Sequence, residues 1–354
     1  MKVSFFYSIK TTKKMKSKQL LTYIIFSANV ICQAQNEIHY ITDSLHTADP
    51  SVHVFDGKIY IYPSHDIETG IVDGKDGAHY NMKDYHVFSL DKIGGKVTDH
   101  GEVFSLKDIP WAEKQLWAPD ATYKNGTYYF YFPAKDKEGI FRIGVAKSKT
   151  PKGPFEPEKK WIDGTYSIDP TVFKDGEKYY LYFGGIRGGQ LQNYRNNVYS
   201  KTNDEPQKKD YALTPKVALL NDEMLSLAEE PKDVLILDEN GNPLKSGDED
   251  RRFFEGVWIH QYNNKYYLTY STGTTHKICY AIGDNPYGPF TYAGVVLTPV
   301  KGWTTHHSIV EIDKEWYLFY HDTKRSGKNY LRDVKYRKLI DNPDGSIVTM
   351  NGLD

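Results

Sequence analysis

Five stretches of this chain share one pattern: a titratable residue, a short apolar run, a tight turn, then a second run rich in tyrosine. They open at Asp49, Asp120, Asp169, Glu255 and the pair His306-His307. Their turns read Asp56-Gly57, Asn125-Gly126, Asp175-Gly176, Asn263-Asn264 and Asp313-Lys314. The second runs include Ile59-Tyr60-Ile61-Tyr62, Tyr128-Tyr129-Phe130-Tyr131 and Tyr179-Tyr180-Leu181-Tyr182. Each copy reads as a β-hairpin, because Asn-Gly and Asp-Gly accept the positive φ that a tight turn demands. A hairpin repeated with a functional side chain at the start of every first strand implies radial symmetry around one site.

The openers are separated by 71, 49, 86 and 51 residues (49 to 120, 120 to 169, 169 to 255, 255 to 306). A four-stranded propeller blade takes roughly 40–50 residues, with loops added. Outer strands fit at Tyr85–Ser89, Phe141–Ala146 and Lys277–Ala281, and the last two are followed by matching turns, Pro151–Phe155 and Pro286–Phe290. No amphipathic helix of useful length interrupts residues 37 to 345. The expected fold is all-β: a five-bladed β-propeller, a single domain over residues 35–354. The longest interval holds a polar excursion from Arg187 to Arg252. Its apolar centre, Tyr211 to Leu220 and Val234 to Leu237, is expected to supply that blade's outer strands.

A net charge of −1 leaves no electrostatic footprint for nucleic acid or an anionic membrane surface, so neither is an expected partner. Most of the 29 tyrosines fit strand packing by their spacing, with sugar stacking as the role of the remainder. Residues 1–34 read as a signal peptide: a basic segment Lys13–Lys18, an apolar stretch from Leu20 to Cys32, and the small residues Cys32 and Ala34 before the cut. Ile31 is bulky where a lipidation site at Cys32 wants a small residue. The apolar stretch is short of the ~20 residues a membrane span needs. Export to the periplasm or the extracellular space is expected. Cleavage after Ala34 leaves Cys279 as the single cysteine, so the exported protein has no intramolecular disulfide.

In a propeller the innermost strands run along the central axis, so residues at one end of each converge. Four acids gathered there repel each other and raise one another's pKa, a cost tolerated mainly where catalysis uses it. Two carboxyls of different proton affinity are the apparatus of glycoside hydrolysis. The chain has no nucleophile elbow, no HExxH and no CxxC. The run Gly184-Gly185-Ile186-Arg187-Gly188-Gly189 ends a strand and enters a loop, without the helix N-terminus that would bind phosphate.

The chain resembles glycoside hydrolase family 43 over residues 45 to about 345. The motifs that carry the likeness are Ala48-Asp49-Pro50-Ser51, Trp117-Ala118-Pro119-Asp120, Ile168-Asp169-Pro170-Thr171, Phe254-Glu255-Gly256 with Trp258, and His306-His307-Ser308-Ile309-Val310. The resemblance implies an exo-acting, inverting hydrolase of pentose glycosides, with Asp49 as general base, Glu255 as general acid and Asp169 as the carboxylate that orients the acid and raises its pKa. It implies sugar contacts from Trp117, His306, His307 and Arg332, with blade packing as the alternative role of Trp117 and Arg325 competing for the arginine's place, and it leaves Asp120 outside the catalytic set. No cofactor is required for the chemistry. In part of the family the histidine matched by His306 touches a calcium ion or its waters, which leaves two expectations open: a structural Ca2+ on the propeller axis, or a histidine that hydrogen-bonds a catalytic carboxylate or an axial water.

The β-fructosidases share five blades, but their Asn-Asp-Pro-Asn and Arg-Asp-Pro are absent: Asp49 follows Ala48, and Asp169 follows Ile168. A lectin-like propeller that binds sugar without cleaving it is the non-catalytic alternative, yet all three acids are kept. A scaffold propeller needs no charged opener at every blade. The expected partner is an arabinose- or xylose-containing oligosaccharide or polysaccharide, the expected state a monomer. The expected activity is an α-L-arabinofuranosidase or β-D-xylosidase, with a lean to the former.

Overall fold

The computed structural model describes residues 38–74, 76–303 and 306–354; the expected signal peptide lies outside the described residues. Blade I is His46–Phe55, Lys58–Asp66, Asp84–Leu90 and Thr98–Ser105, in that order from the axis outward. Blade II is Asp120–Lys124, Thr127–Asp136, Phe141–Ser148 and Glu156–Pro157, with Ala112–Lys114 also paired to Thr127–Asp136. Blade III is Thr171–Asp175, Lys178–Phe183, Lys216–Leu219 and Lys232–Asp233. Blade IV is Glu255–Tyr262, Lys265–Ser271, Ile278–Gly283 and Phe290–Leu297, with Ile236–Leu237 added in parallel to its outer edge. Blade V is His307–Ile312, Glu315–Asp322 and Asp333–Lys338, and its outermost strand, His39–Tyr40, comes from the other end of the described chain. Each innermost strand touches the innermost strands of both neighbouring blades, the fifth against the first included, so the ring is closed. No described helix is long and apolar enough to cross a membrane.

All five hairpins have two-residue loops, and the first loop residue has positive φ in each: Asp56, Asn125, Gly176, Asn263 and Asp313. That backbone twist matches the twist of the flanking strands. The third loop is one residue later than expected, because Asp175 pairs with Lys178 and leaves Gly176-Glu177 as the turn. The excursion also differs from expectation. Lys232–Asp233 completes blade III, while the following Ile236–Leu237 crosses to the edge of blade IV. Val234 is buried between them, so the apolar run bridges two blades instead of serving one.

The tyrosine-rich second strands have a specific use. The residue ending each run, Tyr62, Tyr131, Tyr182, Tyr270 and Tyr320, is almost wholly buried. A buried phenol needs a hydrogen-bond partner. Tyr62 donates to Pro151 O at 2.7 Å, Tyr131 to Met224 O at 2.8 Å and Tyr182 to Pro286 O at 2.5 Å. These three bonds each run from one blade to the sequence of the next. Tyrosine therefore packs as an aromatic and pins adjacent blades with its hydroxyl. Replacing Tyr131 with Phe keeps the ring but leaves the Met224 carbonyl unpaired; chemical denaturation should show a loss of about 1–3 kcal/mol.

Candidate active site

Each acid expected at the site sits where its inner strand breaks regular pairing. Asp49 lies in a bulge between the pairs Ala48–Ser64 and Ser51–Tyr62, with φ of 52°. Asp169 has φ of 57° and precedes Pro170, just before its strand begins at Thr171. Glu255 opens a second bulge, in which Gly256 takes φ of 66°. A bulge turns a side chain away from the sheet's alternation, here toward the end of the axis. Asp49, Asp169 and Glu255 line one cavity of about 410 Å3, together with Trp117, His306 and Arg332.

Arg332 organises the Asp49 side of the cavity. Its guanidinium donates to Asp49 Oδ1 at 2.9 Å and, through Nε and Nη2, to the two oxygens of Asp66 at 2.8 Å each. Ser64 donates to the other Asp49 oxygen at 2.7 Å, and the Asp49 backbone N–H donates to His321 Nδ1 at 3.0 Å. Burial alone would push the Asp49 carboxyl up. The charge of Arg332, with His321 and His306 beside it and the Ser64 hydroxyl, outweighs it and brings Asp49 down to about 2.

The opposite wall behaves the other way. Burial, with the nearby Asp49 charge, lifts Glu255 to about 8, against the opposing pull of Arg332 and Arg187. Asp169 is also pushed up, by burial and then by Glu255 and Asp49. The Gly256 N–H donates to Asp169 Oδ2 at 2.8 Å and favours the ionised form of that residue. Both carboxyls are pushed up, so the pair retains a proton at neutral pH, and the Gly256 N–H bound to Asp169 favours Glu255 as its holder. The site holds an ionised carboxylate and a protonated carboxyl at neutral pH.

The other expected residues separate. Trp117 is cavity wall and packing at once: its Nε1 donates to Tyr80 O at 2.6 Å and its ring lies against Phe141. Arg332, not Arg325, reaches the acids; Arg325 pairs with Asp43 on the outside. His306 faces the cavity with Nδ1 3.8 Å from Asp49 Oδ1, and burial lowers its pKa, so the ring is neutral. His307 is a correction: it is fully buried behind the cavity wall, with Nε2 2.6 Å from Thr269 Oγ1, because strand alternation turns it from its neighbour. Asp120 serves the scaffold. It accepts from Ser51 Oγ, lies 2.6 Å from His53 Nε2 and takes the Val172 N–H at 2.5 Å, tying three blades together at the axis.

Several site residues had no clear sequence signal. Asp66 ends the second strand of blade I, four residues past the repeated tyrosine run, and Tyr80, under the Arg332 guanidinium at 4.7 Å, belongs to a loop. Arg187 and Phe254 line the cavity as well. The glycine-rich run before Arg187 explains itself by close approach: a Cβ on Gly185 would stand 2.5 Å from Ile168, the residue that precedes Asp169.

A family model for glycosyl hydrolases family 43 matches residues 41–346. The chain belongs to glycosyl hydrolase family 43. It is 56% identical to a xylosidase/arabinosidase of Bacteroides ovatus, over 90% of this chain and 99% of that protein. A β-xylosidase of Xylanibacter ruminicola is 50% identical over 88% of this chain and 98% of its own length. Among solved structures, a family 43 β-xylosidase/α-arabinofuranosidase from a compost metagenome, held with xylotriose in a calcium-free form, superposes with a TM-score of 0.88. It shares 57% identity and covers 90% of this chain and 98% of its own. As a family 43 protein this chain is a glycoside hydrolase.

The raised Glu255 carboxyl has a consequence for stability. Folded at about 8 and ordinarily 4.5, it keeps its proton while the unfolded chain loses one, so native stability falls as pH rises between those values. Glu255→Gln removes that dependence. Its melting temperature relative to the parent should climb from about pH 5 to about pH 8 and then level off, as read by thermal denaturation across pH.

Proposed function

We propose that this protein is an exported, monomeric exo-glycosidase that releases terminal pentose units from plant xylo-oligosaccharides with inversion, as a β-D-xylosidase with α-L-arabinofuranosidase activity. The observation that carries this reading is a pair of carboxyls titrating in opposite directions on one cavity, Asp49 at about 2 and Glu255 at about 8. The relatives named xylosidase/arabinosidase and the xylotriose bound in a close structural neighbour support the substrate class. A cavity of about 410 Å3 suits a chain end better than a long polymer threaded through.

In this reading Glu255 donates its proton to the glycosidic oxygen as the bond to the anomeric carbon breaks. A water between that carbon and Asp49 attacks from the other face, and Asp49 accepts its proton. Blades I and IV are not neighbours in the ring, which leaves space for that water. A carboxylate titrating at about 2 is a weak base. It suffices because the attacking water becomes strongly acidic as it bonds to an oxocarbenium-like carbon. Arg332 fixes the Asp49 carboxylate, and Asp169 acts through Glu255 by holding its proton. Solvent then returns a proton to Glu255 and removes one from Asp49.

A calcium ion on the axis would meet one protein nitrogen, His306, while the oxygens of Asp49 and Asp120 are engaged by protein donors. These residues do not form the oxygen cage calcium prefers. The steps above are carried by side chains alone.

Hydrolysis of p-nitrophenyl β-D-xyloside, p-nitrophenyl α-L-arabinofuranoside and xylobiose tests the proposal. The parent should cleave all three, and NMR should show the inverted anomer first. Asp49→Asn should lose about 10²-fold or more on each, whereas Glu255→Gln should fail mainly on xylobiose, whose leaving group needs the proton. Equal loss on aryl glycoside and xylobiose in Glu255→Gln would contradict the acid assignment. The kcat/KM of the parent should fall as pH rises through about 8, where Glu255 loses its proton. Asp169→Asn should move that alkaline limb to lower pH, a shift that a purely structural role would not produce.

A further inference from the structure

Away from the cavity, blade I carries a cluster the hydrolytic reading does not use. His65, Asp84 and His86 each offer a ligand atom, and the three atoms lie within 4.8 Å of one another. His65 Nδ1 is 2.5 Å from Asp84 Oδ1, and the His65 and His86 rings are 4.9 Å apart. The pairing of Ile61 with Phe88 places His65 opposite Asp84, and His86 two residues along on the same face. Ligand atoms around a tetrahedral zinc stand about 3.4 Å apart, so small ring rotations close the set.

Two further features point to a built site. His86 Nδ1 lies 3.0 and 3.2 Å from the two oxygens of Asp99, and the Gly101 N–H fixes that carboxylate at 2.8 Å. This is the carboxylate–histidine arrangement that orients a metal-binding imidazole: with Nδ1–H held by Asp99, Nε2 keeps its lone pair for a metal. The strand Asp84–Leu90 also shifts register against Thr98–Ser105 on both sides of His86. Bulges of this kind re-aim a side chain. The three side chains are 14%, 22% and 16% exposed, leaving room for water as a fourth ligand.

We propose that His65, Asp84 and His86 form a site for a divalent transition metal of the zinc class, which clasps the second and third strands of blade I. Two imidazoles and one carboxylate suit zinc, and they are a poor match for the all-oxygen preference of calcium. The site is distinct from the propeller axis and from His306.

Isothermal titration of untagged, metal-stripped protein with Zn2+ tests this, alongside melting curves. One equivalent should bind in the micromolar range or tighter and raise the melting temperature. Binding should be lost in His86→Gln and in His65→Gln, weakened about tenfold in Asp99→Asn, and kept in His306→Gln. Circular dichroism confirms folding; if one histidine variant fails to fold, the other and Asp99→Asn decide. Binding only at millimolar Zn2+, binding unchanged by the substitutions at 65, 86 and 99, or its loss in His306→Gln alone would each overturn the proposal.

Discussion

One guanidinium faces four carboxyl groups at one end of the propeller axis, and the chemistry follows from that imbalance. Arg332 binds Asp66 through two side-chain bonds and its own backbone N–H, and Asp49 through one. Asp169 and Glu255, buried on the far side, receive no comparable partner. Burying two more charges there would cost several kcal/mol per ion. The site retains a proton instead, and Asp169, held by the Gly256 N–H, leaves it on Glu255. Which carboxyl is ionised and which protonated is thus set by where a single arginine is anchored.

The fold makes that asymmetry rigid. Asp120 joins blades I, II and III at the axis, and Thr171 Oγ1 donates to Val257 O at 2.8 Å between III and IV. Trp258 Nε1 donates to Ile309 O at 2.9 Å between IV and V, and Arg332 with His321 joins V to I. The same opener position therefore serves two ends: in blades I, III and IV it carries the carboxyls that line the cavity, and in blade II it holds the ring together. Tyrosine hydroxyls repeat the connection farther out, so an acid on one blade keeps its distance from an acid on another.

Much of this was legible in the sequence because the repeat encodes it. Two-residue turns, alternating apolar runs and five openers are local signals, and the three acids at strand breaks carry recognisable neighbours in Pro50, Pro170 and Gly256. His307 was misplaced because two adjacent histidines look alike in sequence, while strand alternation sends them to opposite sides. Asp66, Tyr80 and Arg187 were not legible for a different reason: tertiary placement of a strand end or a loop, which no period marks, brings Tyr80 and Arg187 to the cavity and Asp66 to Arg332 behind it. The shift of Ile236–Leu237 to the neighbouring blade has the same origin, since an apolar run does not name the sheet edge it will join.

Infrared difference titration of the carboxyl band, parent against Glu255→Gln, measures the retained proton directly. From about pH 5 to about pH 10, the parent should show one protonated buried carboxyl that disappears near pH 8 and is missing from the variant. A parent with no protonated carboxyl at neutral pH, or a band that persists unchanged in Glu255→Gln, would contradict the assignment of the proton to Glu255.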